Sequence, residues 1–236
     1  MNRNLKKFAL AACVPALLAA QPAAARSLTL KVTNLTHALY FTPLLVTAHR
    51  HNLDLFEPGL AASPELQAMA EGGDISGLQG LAEAAGATSV ADPAAGLLGP
   101  GEHADIENLK VHNHARLSLV GMLLPTNDGF VGLDSWPVPS APGHYTLFLN
   151  GYDAGTEIND EIITGGGAPG VAGIPADPGG NAGTGASGVA TTEINQTVHI
   201  HRGVIGDRDL SGGDSDLDER VHRWLNPVAK VDIWVK

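Results

Sequence analysis

Ten consecutive residues, Tyr152-Asp153-Ala154-Gly155-Thr156-Glu157-Ile158-Asn159-Asp160-Glu161, hold four carboxylates and one amide, with no lysine or arginine among them. Crowded like charges repel unless a cation neutralises them. Ca²⁺ suits such a loop, because it takes about six to eight oxygen ligands from carboxylates, amide and backbone carbonyls and water. Thr126-Asn127-Asp128-Gly129 offers the same chemistry. Each stretch follows a strand-like run, residues 144–150 for the first and 117–124 for the second. The expectation is that two strand ends meet and share one Ca²⁺. Asp128, Asp153 and Glu157 would bind through their carboxylates, with a backbone carbonyl near Ala154 and water completing the shell. Gly155 would allow the tight turn that points Asp153 and Glu157 inward. Asn127, Asn159 and Glu161 would surround the ion or serve as a spare ligand. Mg²⁺ is expected to bind poorly, since mixed loop ligands do not readily give tight octahedral geometry. The alternative is an acidic turn bathed in solvent.

Other constellations compete. His49/His51, His112/His114 and His199/His201 are His-x-His pairs, and on a strand such pairs share a face. Converging pairs would suit Zn²⁺ or Cu²⁺, in a periplasmic metal-binding protein or a metal-dependent enzyme. The plainer reading, and the one favoured, is that they are polar faces of exposed strands. Residues 207–219 alternate acids with glycine but lack EF-hand spacing, which favours a solvated loop over a second Ca²⁺ site. No nucleophile-elbow motif is present, and Gly165-Gly166-Gly167 lacks the context of a phosphate loop.

Strands must position these groups. Residues 27–35 alternate apolar and polar side chains, and residues 40–49 form a second strand interrupted by Pro43. Ser63 caps a short helix that has Pro64 at its first position and Gly72-Gly73 at its end. Residues 74–85 read as another short helix, and 86–101 as a Gly- and Pro-rich loop. Strands follow at 102–111 and 115–124, with a short one at 130–133 and a turn at 136–139. Residues 164–190 are glycine, alanine and proline with almost nothing to bury, so a flexible loop is expected. Residues 197–201 and 228–235 close the fold. Short strands with few helices argue for an antiparallel β-sandwich with two short helices inserted. No internal repeat is visible.

The first 25 residues read as a signal peptide. Arg3, Lys6 and Lys7 form the basic region, 8–20 the apolar run, and Ala23-Ala24-Ala25 the small-residue cleavage pattern. The mature domain is then 26–236, and the apolar run is too short for an anchor. The only cysteine, Cys13, leaves with the signal, so no disulfide is expected. Eleven basic and 25 acidic residues remain, a net charge of −14. That excludes nucleic acid and anionic lipid as partners and fits an exported protein, periplasmic or extracellular.

Several stretches together resemble the spondin domain in its bacterial exported form, whose animal relatives are F-spondin and mindin. They are 115–119, Met122-Leu123-Leu124-Pro125-Thr126-Asn127-Asp128-Gly129-Phe130, Tyr152-Asp153-Ala154-Gly155-Thr156-Glu157 and Trp224-Leu225-Asn226-Pro227-Val228-Ala229-Lys230-Val231. Residues 55–59, Ala62-Ser63 and Ala70-Glu71 belong to the resemblance as well. It implies a C2-like β-sandwich with bound Ca²⁺, acting in adhesion or matrix recognition rather than catalysis. The partner would be a protein or glycan at the cell surface or matrix, without membrane insertion. It places ligands at Asp128 and in the run from Asp153 to Glu157, where a final Glu replaces the family's Asp. The cysteines and thrombospondin-like repeats of the animal proteins are missing.

Overall fold

A computed structural model describes residues 26–180, 182–190 and 192–236. The signal-peptide expectation falls on 1–25, outside the described residues. The chain forms β1 (Arg26–Asn34), β2 (Tyr40–Phe41), β3 (Leu45–His49), α1 (Pro64–Gly72), α2 (Ser76–Ala84) and β4 (Thr88–Ala91). It continues through β5 (His103–Val111), β6 (Arg116–Leu124), β7 (Gly129–Pro137), β8 (Gly143–Asp153), β9 (His199–Ile200) and β10 (Ala229–Val235). The strands run in the order β4-β3-β6-β7-β8-β10-β1-β5, with β2 beside β6 and β9 beside β8, and every pairing is antiparallel. This is the all-β architecture with two short helices that the sequence led us to expect.

β8 joins the two halves. Its residues Gly143 to Leu149 pair with β10, and Asn150 to Asp153 pair with β7. β5-β1-β10 and the first half of β8 make one layer; β4-β3-β6-β7 and the second half make the other. Leu28, Leu30 and Val32 of the first layer share a core with Leu117, Leu119 and Val131 of the second. A second core lies on the other face of β6, where Val120, Met122 and Phe130 meet Leu66 and Met69 of α1 and Leu78 of α2. β6 is therefore covered on both faces, and residues 117–124 are buried without a break. A strand with no wet face reads as a continuous apolar run rather than an alternation.

The helix signals act as expected. Ser63 accepts the N–H of Leu66, and Gly73 closes α1 in the left-handed conformation at φ 73°. Three local readings change. β7 extends through Trp136 to Pro137 instead of turning, because a register shift opposite residues 117–119 lets the ladder continue and the proline falls at its end. β4 lies inside the segment read as a loop, on the edge beside β3. The strand expected at 197–201 shrinks to His199–Ile200.

Residues 164–190 hold no strand or helix among those described, but they are tethered. Ile174 is fully buried, its N–H donates to the Ile162 carbonyl, and the Gly170 N–H donates to Glu71.

Candidate functional site

The β7–β8 register builds the site. Gly129 pairs with Asp153, so Asp128 precedes one strand directly beside the point where the acidic stretch leaves the other. The Ala154 N–H donates to the Asp128 carbonyl at 3.2 Å. Thr126 sets the preceding turn, donating to Leu123 and accepting the Gly129 N–H. Gly155 has φ 72°, and a Cβ there would stand 2.7 Å from the Thr197 nitrogen. The turn thus requires glycine both for its conformation and for space.

Asp128 is fully buried, and Asp153 and Glu157 nearly so. Asp128 Oδ2 accepts the N–H groups of Thr156 at 2.8 Å and Glu157 at 3.1 Å, plus the Thr156 hydroxyl. Its Oδ1 is buried with no partner. Glu157 repeats the pattern. Its Oε2 takes the Gly173 N–H and the Asn127 amide, while Oε1 is buried and unpartnered. Asp153 is better supplied. Oδ1 accepts the Gly155 N–H, Oδ2 accepts the Asn159 amide, and His199 Nε2 lies 3.7 Å from Oδ2. Among the described residues no lysine or arginine pairs with any of the three.

Burial disfavours the charged form of all three. It pushes Asp128 up to about 7, and the neighbouring Asp153 adds to the effect. Glu157 also rises to about 7, chiefly through burial and then through Glu71 and Asp128 against the Gly173 and Asn127 donors. Asp153 is raised by burial, opposed by Asn159, His199 and the Gly155 N–H.

The other expected residues divide. Asn127 lies among the carboxylates, donating to Glu157 and Asp160 and accepting the Glu161 N–H. Asn159 bridges Asp153 and Glu193. Ala154 is buried at the turn. Glu161 instead faces away from the strand ends, where its carboxylate accepts Ile205 and Gly206 N–H groups and the Ser215 hydroxyl. It braces a distant loop. Glu71, Glu193 and His199 are the neighbours that the sequence did not reveal; only His199 carried a signal, through its His-x-His pair.

The histidine pairs do not build a centre. Among the described residues no three His, Cys, Asp or Glu side chains form a group that could already hold a metal ion. The same holds for the three carboxylates, whose cage is therefore not preformed. His49 is buried, bonded to the Arg50 carbonyl and the Ser118 hydroxyl, while His51 is exposed. Ser118 is fully buried, so this Ser–His contact is closed to substrate. His201 is buried against Trp224 at 5.0 Å between ring centroids, and burial drives its pKa down to about 3.

A family model for the spondin N-terminal domain (Spondin_N) matches residues 33–160. The chain belongs to the spondin family. No curated protein matches it. The spondin match spans both strand ends, from Asp128 to Asp160, and stops before β9 and β10. Spondin domains are extracellular recognition and adhesion modules, which gives this one its broad class. No described helix is long and apolar enough to cross a membrane.

Proposed function

We propose that this spondin-family chain is an exported, non-enzymatic recognition module whose strand-end loop binds Ca²⁺. The observation that carries the reading is that, where the two strand ends meet, two buried carboxylate oxygens, Asp128 Oδ1 and Glu157 Oε1, have no hydrogen-bond donor. Buried carboxylates without a cation or donor are costly, and a hard cation with an all-oxygen shell relieves them. The donor set fits in kind: carboxylates, amide oxygens and turn carbonyls, with no thiol and no free imidazole pair. Asp128 and Glu157 would supply one oxygen each. Asp153 contributes through the lone pairs left beside its Gly155 and Asn159 donors. Because no three-carboxylate cage is preformed, binding draws the 153–161 turn inward. Glu157 reaches farther than the Asp usual at its place in the family, which suits that adjustment.

Calorimetric titration of the mature protein with Ca²⁺, Zn²⁺ and Cu²⁺ tests this. Saturable Ca²⁺ binding that Asp128→Asn abolishes is expected. Tight Zn²⁺ or Cu²⁺ binding with no Ca²⁺ response would overturn it.

A further inference from the structure

The layer β5-β1-β10-β8 leaves its outer face uncovered, and the side chains there fall in cross-strand rows. Thr29, Trp234 and His144 line up across β1, β10 and β8, with Glu107 joined to Thr29 by a hydrogen bond where the β1–β5 register shifts, and Asp105, Lys31, Asp232 and Thr146 form the next row. A groove of about 620 Å³ opens over these rows, within the roughly 300–1,000 Å³ of small-ligand sites. Trp234 lines it and remains 37% exposed, although a bare indole on a strand favours burial. The ring is fixed in place. His144 stacks on it at 4.8 Å and 10°, and the imidazole contacts Asp232, which also holds Thr146 and Lys230. Farther along the same face Phe148 is 62% exposed, opposite Lys230. Four residues of strand separate the levels of the two rings, about 13 Å.

This pattern selects its ligand. A flat, pre-positioned ring offers a surface to apolar C–H faces. The groups beside it are single hydrogen-bonding groups of both signs, Lys31 facing Asp105 across the strands and Thr29 donating to Glu107. Charges so balanced favour neither an anionic nor a cationic partner. A broad apolar protein contact would need more uncovered apolar area than two isolated rings. Polyhydroxylated rings match both features, with C–H faces on the aromatic and hydroxyls meeting carboxylates, ammonium and threonine.

We propose that this face binds a neutral glycan, one pyranose ring lying on Trp234 with its hydroxyls met by Glu107, Asp105, Lys31 and Thr29, and the chain running toward Phe148. The assignment rests on the recognition reading and gives it a ligand class, but it does not depend on the cation. His144 and Asp153 stand at opposite ends of β8, about 30 Å apart along the strand.

The test is titration of the mature protein with a panel of neutral hexasaccharides: cello-, xylo-, manno-, malto-, laminari- and chitohexaose. Tryptophan fluorescence and calorimetry are read in Ca²⁺ and in chelator. At least one sugar should bind at or below about 1 mM, equally in both buffers. Trp234→Ala should weaken it at least tenfold and Glu107→Gln several-fold, while Leu225→Ala, at an exposed residue off this face, should leave it unchanged. Circular dichroism checks the fold, and Thr29→Arg provides a second way to block the groove. No binding to any panel member overturns the proposal. So does binding that survives both Trp234→Ala and Thr29→Arg, or concentration-dependent dimerisation that Trp234→Ala abolishes. Sugar binding without any Ca²⁺ response would refute the cation reading alone.

Discussion

The carboxylates at the strand ends and those of residues 207–219 are the same chemical groups in opposite surroundings. Asp128 and Glu157 are buried, each with one oxygen facing no donor, and both are pushed up to about 7. In the distal loop the backbone turns its N–H groups onto the acids. Asp207 accepts from Asp209, Asp214 and Ser215, which lower its pKa. Asp218 is clamped by the Arg220 guanidinium and N–H and held down at about 2. Burial pulls Asp216 upward, but donors from Ile163, Thr184 and Ala186 outweigh it and leave it lowered. One acidic region is met by N–H donors from its own turn and from residues 163–186, and the other leaves oxygens for something else to fill. Net charge and acid count alone do not separate them.

The comparison breaks most readily at its two glycine turns. Gly155→Ala places a Cβ 2.7 Å from the Thr197 nitrogen at a positive φ, whereas Gly212 has no neighbour within 4 Å. Denaturant unfolding should show a loss of more than about 2 kcal/mol for Gly155→Ala and about 1 kcal/mol for Gly212→Ala. Equal losses would mean that the strand-end turn is not packed as described.

The pH dependence should run in opposite directions. Carboxyls raised in the folded state keep protons that the unfolded chain has released. Stability in chelator therefore falls by several kcal/mol as pH rises from about 4 to about 7, through Asp128 and Glu157 together. The depressed acids Asp207, Asp216 and Asp218 act oppositely, adding stability above about pH 4 that is lost as pH falls through their folded values, about 2 for Asp218. Chemical denaturation across pH should show the first slope shrink in Asp128→Asn, where Glu157 still carries its share, and stay whole in Asp216→Asn.

Much of the fold was legible because its signals are local. The run 117–124 announced a strand, and Ser63, Pro64 and Gly73 bracketed α1. β4 escaped because four residues on an edge carry little pattern among glycines and prolines. The site was legible as chemistry, and the strand ends do meet. Which acid is satisfied was not, since the deciding donors are remote in sequence. Asp128 meets Thr156, Asp216 meets Thr184, and Glu161, read as a spare ligand, meets Ser215. Trp234 and His144 likewise become neighbours only through the β8–β10 register.

Single substitutions sharpen the contrast further. Asp216→Asn replaces an acceptor of several N–H groups with an amide that presents a donor to them, and should cost about 1–3 kcal/mol whatever the cation. Asp209→Asn, at an exposed acid, should stay within about 0.5 kcal/mol by thermal melting.

The most direct measurement is the thermal midpoint at pH 8 in Ca²⁺ and in chelator, for wild type, Asp128→Asn and Asp216→Asn. Ca²⁺ at about 100 times its Kd should add about 2.7 kcal/mol to wild type and to Asp216→Asn, and nothing to Asp128→Asn. A wild-type midpoint that chelator leaves unmoved, or an Asp128→Asn variant that keeps the full Ca²⁺ response, would contradict the account.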